Sequence, residues 1–111
     1  MITWPAVIKY DGDNELGYVA SQDEWESGGS ISEMHYRPED QMIDSGGAVY
    51  QLTDRLNGKV IPKLKHQHIE LEALTILVRE HASALGNCCV SKLGFYSISE
   101  AIASVGELDE P

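Results

Sequence analysis

His66-Gln67-His68-Ile69-Glu70-Leu71-Glu72-Ala73-Leu74-Thr75-Ile76-Leu77-Val78-Arg79-Glu80-His81-Ala82-Ser83-Ala84-Leu85, closed by Gly86-Asn87, carries the strongest periodic signal in the chain. At 100° per residue, Leu71, Leu74, Leu77, Val78, His81, Ala82 and Leu85 gather on one broad face. Ile69, Ala73 and Ile76 lie roughly opposite, beside Glu72, Arg79, Glu80 and Ser83. The spacing predicts a helix over about 66–85 with two apolar sides. Such a rod is expected to lie between a sheet and the C-terminal segment. A fully exposed Ile76 would instead point to an oligomer contact.

Upstream, the apolar period changes from 3.6 to 2. Residues 2–10 read as a strand, with Trp4, Ala6, Ile8 and Tyr10 on one face and Val7 on the other. Pro5 cannot donate a ladder hydrogen bond, so it belongs at an edge or at the strand's start. Asp11-Gly12-Asp13-Asn14 is turn chemistry, and Leu16, Tyr18 and Ala20 alternate as the returning strand. Ser21-Gln22-Asp23-Glu24 is a capping-box pattern that predicts one or two helical turns around Trp25. Met42-Ile43 opens a further strand; residues 31–47 are otherwise unreadable in outline. Residues 48–53 are strand-like. Asn57-Gly58 suits a tight hairpin turn, with Lys59-Val60-Ile61 as the return. Downstream, Ser97-Ile98-Ser99-Glu100 repeats the capping pattern and predicts a short helix over 98–105, stopped by Gly106. Glu107 to Pro111 reads as a frayed acidic tail.

Strands grouped ahead of helices define an α+β class. The expected architecture is a mainly antiparallel sheet of four to five strands, with a long helix and a short C-terminal helix packed on one face. At 111 residues the chain has room for a single domain, residues 1–111.

Charge narrows the function classes. The formal net charge is −10, from 8 basic and 18 acidic residues. Phosphate backbones and anionic membranes attract basic surfaces, so neither nucleic acid nor a membrane is expected as partner. The asymmetry is sharper within the chain: residues 1–54 hold Lys9 and Arg37 against 11 acids. Four of the eight basic residues, Arg55, Lys59, Lys63 and Lys65, fall within eleven positions. Self-repulsion for solubility is the plain explanation of the acids. Against that background the basic cluster is the candidate contact for another protein.

Other constellations are weaker. His66 with Glu70 and His68 with Glu72 are spaced i,i+4. On a helix, however, the two pairs would point about 160° apart, and a metal site needs three or four ligands. His81, central on the apolar face, reads as a core histidine satisfied by a backbone carbonyl or a Tyr hydroxyl rather than as a general base. Cys88-Cys89 follow a helix C-terminus, where the dipole opposes a thiolate. Adjacent cysteines with no distant partner suggest reduced thiols. The opening residues show no basic, apolar leader, and no apolar run is long enough to span a bilayer, so a cytoplasmic location is expected. Ser27-Gly28-Gly29-Ser30 and Ser45-Gly46-Gly47 lack the lysine and the spacing of phosphate-binding loops. No cofactor is therefore expected.

Trp4-Pro5-Ala6-Val7-Ile8-Lys9-Tyr10-Asp11-Gly12, followed by Glu15-Leu16 and Trp25, resembles the opening of a small bacterial family of uncharacterised proteins of about this length. The resemblance implies an α+β domain of unassigned function and carries over no catalytic residue. The expectation is a non-enzymatic interaction or regulatory domain, as a monomer or weak homodimer. The alternatives are an acidic mimic of nucleic acid that binds a basic DNA-binding protein, and a small metal- or thiol-dependent enzyme using His66, His68, His81 or the cysteines.

Overall fold

A computed structural model describes residues 1–27, 31–66, 68–87 and 93–109. The elements run β1 (Ala6–Lys9), β2 (Leu16–Val19), α1 (Gln22–Glu26), β3 (Gln41–Asp44), β4 (Val49–Gln51), β5 (Arg55–Leu56), β6 (Lys59–Val60), β7 (Lys63–His66), α2 (Leu71–Ala84) and α3 (Ile98–Asp109). Five strands form an antiparallel sheet in the order β2-β1-β3-β4-β7, while β5 and β6 make a separate two-stranded hairpin. The fold is α+β, with α2 and α3 packed on one face of the sheet.

Strand alternation divides the apolar residues between two cores. Val7, Leu16, Ile43 and Val49 face Leu74 and Val78 of α2 and Ala101, Ile102 and Val105 of α3. Ala6, Ile8, Val19, Met42 and Tyr50 face the other way, onto Trp25, Leu52 and Val60. The second face is therefore covered by α1 and the β5–β6 hairpin. Burial of this kind stabilises by about 25 cal/mol per Å² of apolar surface removed from water.

Local signals explain several boundaries. The β1–β2 turn uses Gly12 at φ +77° and closes with the Asp13 amide donating to the Tyr10 carbonyl. Pro5 stands just before β1, which is a central strand, so Pro5 removes no ladder bond. In α1 the Ser21 hydroxyl accepts from the Glu24 amide at 3.2 Å, and Ser97 does the same for Glu100 at 3.1 Å. Helix α2 ends in a Schellman motif. Gly86 takes φ +86°, its amide bonds the Ser83 carbonyl, and the Asn87 amide reaches the Ala82 carbonyl.

Four expectations need correction. First, α2 begins at Leu71, and residues 63–66 form β7 instead. Second, the Asn57-Gly58 turn (φ +54° and +80°) joins only β5 and β6. Strand β4 pairs with β3 and β7, not with a return strand at 59–61. Third, α3 runs through Gly106 to Asp109. A Cβ at Gly106 would lie 2.6 Å from Cζ of Tyr18, so this glycine permits close helix–strand approach rather than ending the helix. Fourth, α2 is not sandwiched: α2 and α3 share one layer. Ile69 packs against the first core, while Ile76 is 49% exposed. It lines a hollow of about 440 Å³ with Leu71, Arg79 and Phe95.

Candidate interaction surface

The basic cluster and the second core meet at the β5–β6 hairpin. Register pairs Arg55 with Val60 and Leu56 with Lys59. Val60 is buried and anchors the hairpin to the sheet, with its amide donating to the Ser32 carbonyl at 2.7 Å. Its neighbours turn outward: Leu56 is 60% and Ile61 is 44% exposed. Between hairpin and α1 lies a pocket of about 290 Å³, lined by Trp25, Leu56, Lys59, Ile61 and Pro62 among others. Ser32 also lines it; its Oγ is buried and has no hydrogen-bond partner among the described residues.

The four predicted contact residues divide by role. Arg55 is a clamp. Its guanidinium donates to the carbonyls of Met34 at 2.8 Å, Glu33 at 3.2 Å and Gly58 at 2.6 Å, tying the 31–34 turn to the hairpin. Lys59 stands on the pocket rim. Lys63 lies 4.0 Å from Asp54, with both side chains more than half exposed, a geometry worth little in water. Lys65 is exposed on β7, two residues along. Leu64 between them is 49% exposed. Sequence reasoning found the cations and missed the apolar residues beside them. Leu56, Ile61 and Leu64 sit outside any periodic pattern, and only their exposure marks them.

The other candidates take up structural roles or part company. His81 is 1% exposed, and its Nδ1 accepts the Leu16 amide at 2.8 Å. This partner is a backbone donor, so Nδ1 presents its lone pair to the strand, and His81 is the core histidine that its place on the apolar face predicts. His66 ends β7 and His68 precedes α2, so neither makes a helical pair with Glu70 or Glu72. His68 packs instead against Gly47, where an added Cβ would lie 3.0 Å from Nδ1. No group of three His, Cys, Asp or Glu side chains among the described residues could hold a metal ion. Cys88 and Cys89 lie outside the described residues, as do Gly28, Gly29 and Ser30.

Two acids of the first half are turned inward. Asp44 is 1% exposed and accepts from the amides of Thr3, Gly46 and Ala48 and from the Tyr50 hydroxyl. Asp40 accepts from the amides of Asp11 at 2.7 Å and Arg37 at 2.8 Å. Beside it the rings of Tyr10 and Tyr36 stack, with centroids 6.2 Å apart. Burial first, and then neighbouring charge, raises the pKa of both phenols. No helix among the described residues is long and apolar enough to cross a membrane.

Fold and surface together define a small α+β domain whose β5–β6 hairpin exposes Leu56 and Ile61 beside Lys59 and Glu26. Residues 4–105 match the model of the DUF4144 family, described as a protein structure with unknown function. The chain belongs to this family. It is also similar to a solved structure, the NMR structure of a protein from Shewanella amazonensis. That likeness has 28% identity and a TM-score of 0.70, covering 99% of this chain and 92% of the other. None of the curated proteins matches the chain.

Proposed function

We propose that the chain is a non-enzymatic interaction domain that contacts another protein through the β5–β6 hairpin and the residues leading into β7. One observation carries this reading. Leu56, Ile61 and Leu64 are 60%, 44% and 49% exposed, and they are interleaved with Lys59, Lys63 and Lys65 in a chain of net charge −10. Exposed large aliphatic side chains cost solubility, and clustered ones mark contact surfaces. Interfaces place such residues at the centre with charges at the rim, where the charges govern specificity and encounter. Three buried polar groups among the described residues have structural roles. His81 serves the core, and Asp40 and Asp44 hold backbone amides.

The test compares the wild-type chain with a Leu56→Ser, Lys59→Glu, Ile61→Ser variant, each immobilised and exposed to native lysate at low and high salt. The reading expects a protein retained by the wild type at low salt and lost from the variant. Equal capture by both, or capture by neither, would refute it. All three positions have exposed side chains, so the variant should keep its fold.

A further inference from the structure

We propose that β7 accepts an acidic, extended segment of a partner protein as a sixth strand of the sheet. The inference rests on the interaction-domain reading and adds the binding mode and the partner's chemistry.

The topology supplies the template. β7 ends the sheet order and pairs with β4 on one side; among the described residues no strand lies on the other. Among the described residues, the backbone groups of 63–66 make no backbone hydrogen bond outside the ladder to β4. A strand edge leaves a row of amides and carbonyls unpaired, which an extended peptide can satisfy by strand addition. The opposite edge differs: β2 lies against all three helices. All four residues of β7 are exposed, so a docking strand meets no covering loop or helix among the described residues.

Side-chain charge selects the occupant. Lysines on an edge strand usually guard against edge-to-edge association. Lys63 and Lys65 do that against a second copy, since β7 laid on β7 brings cations together. The same two charges favour a strand carrying Asp or Glu at facing positions. Asp54 offsets part of the Lys63 charge, leaving Lys65 as the stronger selector. The chain's overall negative charge repels an acidic peptide at a distance. At physiological ionic strength screening acts over about 8 Å, so the contacts at the edge itself decide binding. Leu64, paired with Tyr50, lies on the opposite strand face from Lys63 and offers apolar contact there, while a bulge at the β4 register shift leaves Lys65 without a β4 partner.

The experiment is an amide-resolved NMR titration of the 15N-labelled full chain with an end-blocked peptide of about six alternating Glu and Val residues. Two comparison peptides accompany it: the same sequence N-methylated at alternate amides, and a Lys/Val counterpart. The expected result is saturable shifts and slowed amide exchange centred on residues 63–66. Binding should weaken about tenfold for the N-methylated peptide and for Lys65→Glu. Equal binding of the N-methylated peptide, with shifts confined to Leu56, Lys59 and Ile61, would overturn strand addition and leave the interaction surface standing. Absence of saturable shifts with the acidic peptide, or preference for the Lys/Val peptide, would also overturn it. Failure of the interaction-domain reading shows separately, as capture insensitive to the hairpin substitutions.

Discussion

His81 Nδ1 accepts the Leu16 amide at 2.8 Å, joining positions 65 residues apart inside the core. The bond ties the last turn of α2 to the first residue of an edge strand. A buried amide left without an acceptor costs about 1–3 kcal/mol. His81→Leu removes the acceptor and should lower unfolding free energy by that amount in urea. His81→Asn places a carbonyl oxygen near the Nδ1 position and should recover part of the loss. Equal stability of the Leu variant and the wild type would show that the bond contributes nothing net.

Gly106 and Tyr18 make the second test. Glycine inside a helix is about 1 kcal/mol worse than alanine, so Gly106→Ala would ordinarily stabilise α3. Here the added methyl meets the Tyr18 ring at 2.6 Å. The ring must move from its place against the core, a kind of overpacking that costs about 1–3 kcal/mol. The single variant should therefore lose stability. In a Tyr18→Leu background the same substitution should become neutral or stabilising. Thermal melts of the four proteins of this double-mutant cycle decide the matter.

Arg55 separates architecture from contact. Its three carbonyl acceptors lie in the 31–34 turn and at Gly58. Arg55→Ala should speed proteolysis of the 31–37 segment and cost about 1 kcal/mol. Lys63→Ala, whose ion pair is exposed, should change stability by less than about 0.5 kcal/mol. If the two variants behave alike under limited proteolysis, the clamp assignment is wrong.

The stacked tyrosines predict an alkaline limit. Burial, together with charge from Asp40, lifts both Tyr10 and Tyr36 above the usual phenol value. A folded-state pKa above the unfolded one means that the native state holds the proton more tightly. That contribution is complete below about pH 10, the unfolded value, and is lost as pH rises through the folded values. Denaturation midpoints should fall above about pH 10, with phenolate absorbance lagging behind model tyrosine. Tyr36→Phe should flatten the decline, at the expense of the hydroxyl's 2.8 Å bond to the Ile31 carbonyl. A wild-type titration indistinguishable from free tyrosine would refute the burial argument.

What could be read in the sequence follows what each element buries. The first hairpin, the body of α2 and the α+β class were legible because their apolar residues repeat at 2 or 3.6; α1 was legible from its Ser21 cap and the end of α2 from Gly86, whereas the start of α2 has no side-chain cap to mark it. β7 was not. Lys63-Leu64-Lys65-His66 lies exposed at an edge, so no buried face imposes a pattern, and its pairing is dictated by β4. Residues 31–40 were illegible for another reason. Their path is set by distant side chains, with Arg55 holding Glu33 and Met34, and Asp40 holding Asp11 and Arg37. Gly106 misled because helix-stopping and close-packing glycines look alike in one dimension. At the candidate surface, the cations were legible by composition. The exposed leucines and isoleucine were not, because solvent exposure is a property of the folded chain.

The position of β1 has a mechanical consequence. It is four residues long, and its successive side chains report to opposite interiors: Val7 to the helical layer, Ala6 and Ile8 to the layer beneath α1. A shift of one residue against β3 would exchange both assignments at once. Neither half of the molecule can therefore loosen at β1 without disturbing the other, and the two oily compartments should melt as one unit.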